Sequence, residues 1–289
     1  MLVRFWGVRG QVGTAGKATM RYGGHTPCVE VRCGETLLIL DAGTGIRALG
    51  EALLREANGG RLAGHVLLTH DHRDHLEGFR FFAPALDPKH RFTVYGSDDA
   101  IVEVEDEFTT QLETKYFPAL ADELGVEIDF RTVDVGRFFI GEVAVTAQFT
   151  NHPGICYGYR LEWDGRSLVY LTDTEPYLFA HTVQPDDEAI ARCDARLVDF
   201  VRGANLLIAD AQFDAAEYRE RHGWGHSSVD DAVRLALEAG VARLALFHHD
   251  PSHDDDKMDS LLTHARALIR RKRARLDCLA AQEGLEVSL

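Results

Sequence analysis

Residues Thr69-His70-Asp71-His72-Arg73-Asp74-His75 decide the reading of this chain. They follow the apolar run Gly64-His65-Val66-Leu67-Leu68, which has the length and aliphatic character of a buried strand. The cluster therefore sits at a strand's end. His70 and His72 lie two apart, so in extended backbone both side chains can face one side. Asp74 and His75 follow within a turn. Four nitrogen and oxygen donors within six residues, with no cysteine among them, form a dense ligand set for a borderline-soft dication.

Upstream of this cluster, residues 2–8, 27–33 and 36–43 read as strands, and 91–96 downstream reads as another. Helical spacing covers Ile46–Ala57 and stops at Asn58-Gly59-Gly60, while Ser97-Asp98-Asp99 has the chemistry of a helix start. The second half has the same style. Residues 126–133, 143–150, 155–163 and 167–173 are strand-like, with Asp164-Gly165 a hairpin signal. Strands at 204–211 and 243–249 are separated by a helix over Val229–Glu238, and a last helix over Met258–Arg275 follows Asp254-Asp255-Asp256. Two β-sheets with helices outside suit this order. The chain reads as one domain, 1–289, built from two similar halves, roughly 1–120 and 121–289.

The strand ends of the second half supply further ligands. His152 follows the run 143–150, Asp173 ends the run 167–173, and His248-His249 follow Arg243–Phe247. Polar groups placed repeatedly at strand ends converge on one edge of the sheets, where sites form in α/β architectures.

The ordered set His-x-His-x-Asp-His, a distant His, a distant Asp and a C-terminal His resembles the metallo-β-lactamase superfamily over nearly the whole chain. The resemblance implies a four-layer αβ/βα sandwich of two mixed β-sheets flanked by helices. It implies that His70, His72 and His152 hold one divalent metal, that Asp74, His75 and His248 hold a second, and that Asp173 bridges them. His248 is favoured over His249 because the family's last ligand follows an apolar strand directly. Zinc, manganese and iron all suit such a donor set. Two dications that share a water lower its pKa and neutralise charge on a phosphoryl oxygen. Asp74 would also orient the resulting hydroxide. No Gly-x-Ser-x-Gly elbow offers a serine mechanism instead.

Gly225-His226-Ser227-Ser228 precedes the helix at 229, with Ser227 or Ser228 as its N-cap, and the strand before it ends at Asp210. In the phosphodiesterase branch of the superfamily, typified by tRNA 3′-processing endonuclease, an acidic residue after a strand precedes Gly-His-Ser-Thr, and that His serves the leaving oxygen. Here Asp210 stands for the commoner Glu and Ser228 for Thr. A carboxylate that fixes one imidazole tautomer and favours its protonated form serves that purpose with either residue.

The tRNA-processing relatives grip RNA with a Gly- and Pro-rich arm, for which the sequence has no counterpart. Residues 5–31 and 247–256 resemble bacterial cyclic-phosphodiesterase-like members. The expected function is therefore a binuclear metal-dependent hydrolase of a small phosphodiester, most of all a cyclic nucleotide. Lactone or thioester hydrolysis on the same scaffold and a non-catalytic nucleotide or metal sensor are the alternatives.

Composition bounds these readings. The 289 residues carry 31 Lys and Arg against 46 Asp and Glu, a formal net charge of −15, which repels a polyanion at long range. Structured nucleic acid is not an expected partner; a homodimer is one that the resemblance allows. Five scattered cysteines without a Cys-x-x-Cys pair, and an N-terminus without a signal-type apolar run, suit a soluble cytoplasmic protein with no membrane partner. Some residues admit two readings. Phe79, Phe81, Phe82, Tyr157 and Tyr159 belong either to the core or to a base-stacking wall. The glycine-rich stretches Arg9–Gly16 and Arg21–His25 are either turns or anion-binding backbone, and His25 is either a substrate contact or a solvated loop residue. The run Arg270–Arg273 suits a solvated helix C-terminus.

Overall fold

A computed structural model describes residues 1–111, 128–177 and 187–289. Among the described residues, fourteen strands form two seven-stranded sheets. The first contains β1 (Leu2–Gly7), β2 (Cys28–Cys33), β3 (Thr36–Leu40), β4 (Ala63–Leu67), β5 (Arg91–Gly96), β6 (Ile128–Thr132) and, at the edge beside β1, β14 (Glu286–Ser288). The second runs β7 (Gly136–Ile140), β8 (Val143–Phe149), β9 (Tyr157–Trp163), β10 (Arg166–Leu171), β11 (Leu206–Asp210), β12 (Arg243–Phe247) and β13 (Asp277–Ala280). Both sheets follow one plan. Antiparallel pairing joins β14-β1-β2-β3 and β7-β8-β9-β10, and parallel pairing continues through β3-β4-β5-β6 and β10-β11-β12-β13. The first sheet thus borrows its edge strand from the C-terminal end of the chain.

Strand alternation sorts side chains into layers. Leu38 and Leu40 of β3 face the second sheet, in a core shared with Val145, Leu161, Leu168, Ile208 and Phe247. Leu37 and Ile39 face outward onto Ile46, Leu49 and Leu53 of helix α1 (Gly45–Ala57). The second sheet turns Val169, Leu207 and Leu244 onto Val233 and Ala236 of one helix and Met258, Leu261 and Ala265 of another. The result is the expected four-layer sandwich. The helices are α1, α2 (Arg73–Leu76), α3 (Asp98–Gln111), α4 (Asp187–Val201), α5 (Ala215–Glu220), α6 (Val229–Glu238) and α7 (Asp255–Arg271). Among the described residues, no helix is long and apolar enough to cross a membrane.

Local chemistry explains the boundaries. Asn58 ends α1 in the left-handed region, Ser97 accepts from the Ala100 N–H at the start of α3, and Ser228 accepts from the Asp231 N–H at the start of α6. Asp164 and Gly165 both have positive φ, the two-residue turn that the β9–β10 hairpin needs. The last helix begins earlier than its apolar spacing predicts: Asp254 caps it through the Lys257 N–H, and it ends at Arg271, before left-handed Arg273. Phe79, Phe82, Tyr157 and Tyr159 are buried, whereas Phe81 is exposed.

Candidate active site

The residues singled out in the sequence meet where the parallel strands end. His70 follows β4, Asp173 follows β10, Asp210 ends β11 and His248 follows β12. The strand end after β3 adds Asp41. Three of these residues, Asp41, Asp173 and His248, have φ of 60°, 48° and 59°. Left-handed backbone at a non-glycine residue costs roughly 1–3 kcal/mol. Here it turns each side chain at its strand's end into the shared cleft.

Two groups of donors face each other across Asp173. Its Oδ1 lies 3.8 Å from His70 Nε2 and 3.9 Å from His152 Nε2. His72 completes this side, with its Nδ1 3.2 Å from His152 Nε2. The other oxygen, Oδ2, lies 3.2 Å from His75 Nε2 and 3.4 Å from His248 Nε2. Asp74 Oδ2 lies 3.4 Å from each of those same two nitrogens. All seven residues expected to hold metal are thus brought together.

The donors fit divalent cations. The Nε2 atoms of His70, His75 and His248 are buried and have no hydrogen-bond partner, an arrangement that costs roughly 1–3 kcal/mol per group unless something binds there. Burial opposes ionisation of Asp74, yet His75 and His248 hold it well below the usual carboxylate range; His248 and His75 do the same for Asp173. Burial, with His75 adding to it, keeps His70 well below the ordinary histidine value. Ionised carboxylates and a neutral imidazole are the ligand states a cation takes.

Supporting contacts orient these groups. Asp41 Oδ2 accepts from His75 Nδ1 at 2.8 Å and from the Tyr170 hydroxyl at 2.8 Å, and Oδ1 takes the Thr69 N–H at 2.8 Å. His152 Nδ1 donates to the Gly225 carbonyl at 2.9 Å, and His248 Nδ1 to Gln212 Oε1 at 3.2 Å. Such partners set the tautomer and the ring angle of a ligating histidine. The Gln11 N–H donates to Asp74 Oδ2 at 2.7 Å, which brings the glycine-rich N-terminal stretch to the site's edge. Asp41 follows β3 directly, as Asp173 follows β10 one residue later, so the strand-end rule applied to the first half finds it. Nothing in the spacing singles out Gln11 or Gln212.

The adjacent histidines after β12 separate cleanly. His248 joins the cluster. His249 faces away, fully buried, with Nε2 donating to the Ala281 carbonyl at 2.8 Å, and burial drives it down to about 3. His25 is exposed and contacts Thr44 Oγ1 at 3.2 Å. Arg9 is buried and donates to the carbonyls of Gly23, Asp250 and His253, a structural use of the cation.

His226 lies against the second donor group. Its ring stacks on His248 at 5.0 Å and 19°, and its Nδ1 is 2.8 Å from Asp210 Oδ2. Asp210 Oδ1 accepts from the N–H groups of Gln212 and Ser227 at 3.1 and 3.2 Å, so the carboxylate cannot swing away from the ring. Burial disfavours the imidazolium, but Asp210 outweighs it and pushes His226 up to about 9. Asp210 thus makes His226 bind its proton more tightly than an ordinary histidine, beside two groups of metal-type donors.

Residues 36–249 match the beta-lactamase superfamily domain. The chain is 24% identical over 273 residues to ribonuclease Z of Thermoplasma acidophilum, covering 83% of this chain and 85% of the relative. It is 27% identical over 274 residues to ribonuclease BN of Escherichia coli O1:K1, covering 80% and 84%. Among solved structures, unliganded yeast PDE1 superposes with a TM-score of 0.68 at 14% identity, covering 100% of this chain and 99% of that one. A diphosphatase from the PhnP family superposes with 0.63 at 19%, covering 100% and 97%. The family match spans most of the chain, and on that match the protein belongs to the beta-lactamase superfamily, as one of its metal-dependent hydrolases.

Proposed function

We propose that the protein is a phosphodiesterase that cleaves a small phosphodiester, a cyclic nucleotide above all, with two divalent metals, zinc or manganese before iron. The observation that carries this reading is the 2.8 Å pair of Asp210 and His226 beside the donor cluster. An alkoxide is a poor leaving group, and an imidazolium aimed at it lowers the barrier by protonating it as the P–O bond breaks. A thioester, whose thiolate leaves without a proton, has less need of such a donor.

His70, His72 and His152 would hold one metal and Asp74, His75 and His248 the other, with Asp173 shared between them. Bound there, the metals supply Lewis acidity and a nucleophile derived from water at neutral pH. The chain's own residues do the rest. Asp74, held by the Gln11 N–H, orients the attacking group, and Asp210 holds His226 with Nδ1 engaged, which leaves the transferable proton on Nε2. After transfer, neutral His226 recovers its proton from solvent.

The relatives that are ribonucleases favour a second reading, an RNA phosphodiester. The net charge of −15 weighs against a long polyanion. A cytoplasmic homodimer without membrane or structured nucleic-acid partners completes the proposal. The test is product formation by zinc- or manganese-loaded protein from 2′,3′- and 3′,5′-cyclic nucleotides and from a structured RNA, read by chromatography. Conversion of one cyclic isomer to a defined monoester supports the reading. Cleavage of the RNA alone favours the second. No conversion of any of them by fully metallated protein removes cyclic nucleotides and structured RNA as substrates and shifts weight to cyclic sugar phosphates, carboxyl substrates or a sensor role.

A further inference from the structure

Two residues beyond Asp173, the side chain of Glu175 is buried at 1% exposure. Its Oε1 accepts from the Tyr218 hydroxyl at 3.0 Å and from the Gly223 N–H at 3.0 Å; its Oε2 accepts from the Gly223 N–H at 3.0 Å and the Gly225 N–H at 3.1 Å. These donors are all neutral. A carboxylate taken out of water without a cation beside it is expensive unless hydrogen bonds replace its hydration. Here they come from one turn and one tyrosine.

We propose that Glu175 is the positioning residue of this site, whose carboxylate clamps the Gly223–Gly225 turn and through it fixes both His152 and His226. Inside the turn the Trp224 N–H donates to the Arg221 carbonyl at 3.2 Å, while the N–H groups of Gly223 and Gly225 are held from outside by Glu175. Gly223 and Gly225 each adopt φ of 82°, a conformation without a side chain to anchor it. Gly225 lies so close to His152 that a Cβ there would overlap the imidazole ring. Its carbonyl is the acceptor for His152 Nδ1 at 2.9 Å, so the place of Gly225 sets the ring angle that turns Nε2 toward Asp173. The next residue is His226. Its backbone is tied at the far side by the Ser227 hydroxyl, which donates to the Thr174 carbonyl at 2.6 Å. Asp173, Thr174 and Glu175 thus serve in succession: the first faces the donor cluster, the second holds Ser227, and the third holds the turn on the other side of His226.

The role is geometric. The carboxylates that raise the proton affinity of His226 are Asp210, Asp173 and Asp74. A glutamine in place of Glu175 can keep the clamp. Its carbonyl oxygen, in the place of Oε2, accepts from the N–H groups of Gly223 and Gly225, and its amide, in the place of Oε1, donates to Tyr218, whose hydroxyl turns from donor to acceptor; only the second contact of the Gly223 N–H is given up. An aspartate keeps the charge and loses the reach. The experiment compares Glu175→Gln with Glu175→Asp by two readouts. One is zinc affinity, by competition with a chromophoric chelator. The other is kcat on an alkyl phosphodiester against kcat on a nitrophenyl phosphodiester.

Glu175→Gln is expected to stay within about threefold of wild type in both. Glu175→Asp is expected to lose zinc affinity by roughly 10–100-fold, the usual effect of disturbing a ligand's supporting partner. It should also lose more kcat on the alkyl than on the nitrophenyl ester, because His226 is displaced with the turn. An impaired Gln variant or an unimpaired Asp variant contradicts the proposal. The kinetic arm rests on the phosphodiesterase reading; the zinc arm does not, so a wild-type protein that turns over no diester sinks that reading while Glu175 is still tested.

Discussion

Asp210 Oδ2 and His226 Nδ1 are 2.8 Å apart, and the buried carboxylate pushes the imidazole from its ordinary value of 6.5 up to about 9. The sign for catalysis follows directly. A proton donor works while protonated, so kcat on a diester with a poor leaving group should fall as pH rises through the pKa of His226, which bound dications beside His248 would bring below the value of about 9 set by the carboxylates alone. Asp210→Asn should move that falling limb to lower pH. The same linkage acts on folding. A raised pKa stabilises the native state in full below 6.5, and the contribution is lost as pH climbs through about 9. A kcat–pH profile of wild type against Asp210→Asn checks the first statement, and apo-protein melting across pH 6 to 10 checks the second.

Asp41 holds His75, Thr69 and Tyr170 together, and none of these has room to find water. Asp41→Ala should lower zinc affinity by roughly 10–100-fold through His75. It should also destabilise the apo protein by roughly 1–3 kcal/mol for each buried group left unpaired. Chelator competition and denaturant unfolding measure the two effects separately.

The neighbouring histidines after β12 should behave differently. His248→Ala removes a donor of the cluster and should reduce bound metal, read by elemental analysis after desalting. His249→Ala should keep its metal and instead lose stability, by about 1–3 kcal/mol, because the Ala281 carbonyl loses its donor in the core.

Gly10 carries no ligand, yet a Cβ at that position would overlap the His248 ring. Gly10→Ala should therefore weaken metal binding while leaving every donor in place. Wild-type zinc affinity in this variant would show that the His248 ring tolerates displacement.

Much of this was legible before any coordinates. Strands leading to His70, Asp173, Asp210 and His248 end in continuous apolar runs, buried on both faces, followed by a polar residue with no reason to be buried, and that combination marks both sheet and site. The capping residues Ser228 and Asn58 marked helix ends because their chemistry acts within a few residues. What escaped is non-local. β13 and β14 are only four and three residues long and exist because β12 and β1 offer them an edge. β7 alternates half-exposed residues between two glycines, a pattern shared with loops. Gln212 and Glu175 act through contacts 36 to 50 residues away in the chain, which no spacing encodes.

The most direct measurement compares wild type with His226→Ala on a series of phosphodiesters whose leaving groups run from nitrophenol to simple alcohols. Metal content is determined on the same samples. The account predicts unchanged metal, a loss of roughly 10²–10⁴-fold in kcat for alcohol leaving groups, a much smaller loss for nitrophenol, and a steeper dependence on leaving-group pKa in the variant. Equal losses across the series with full metal content would contradict it, because His226 would then not be the group that protonates the departing oxygen.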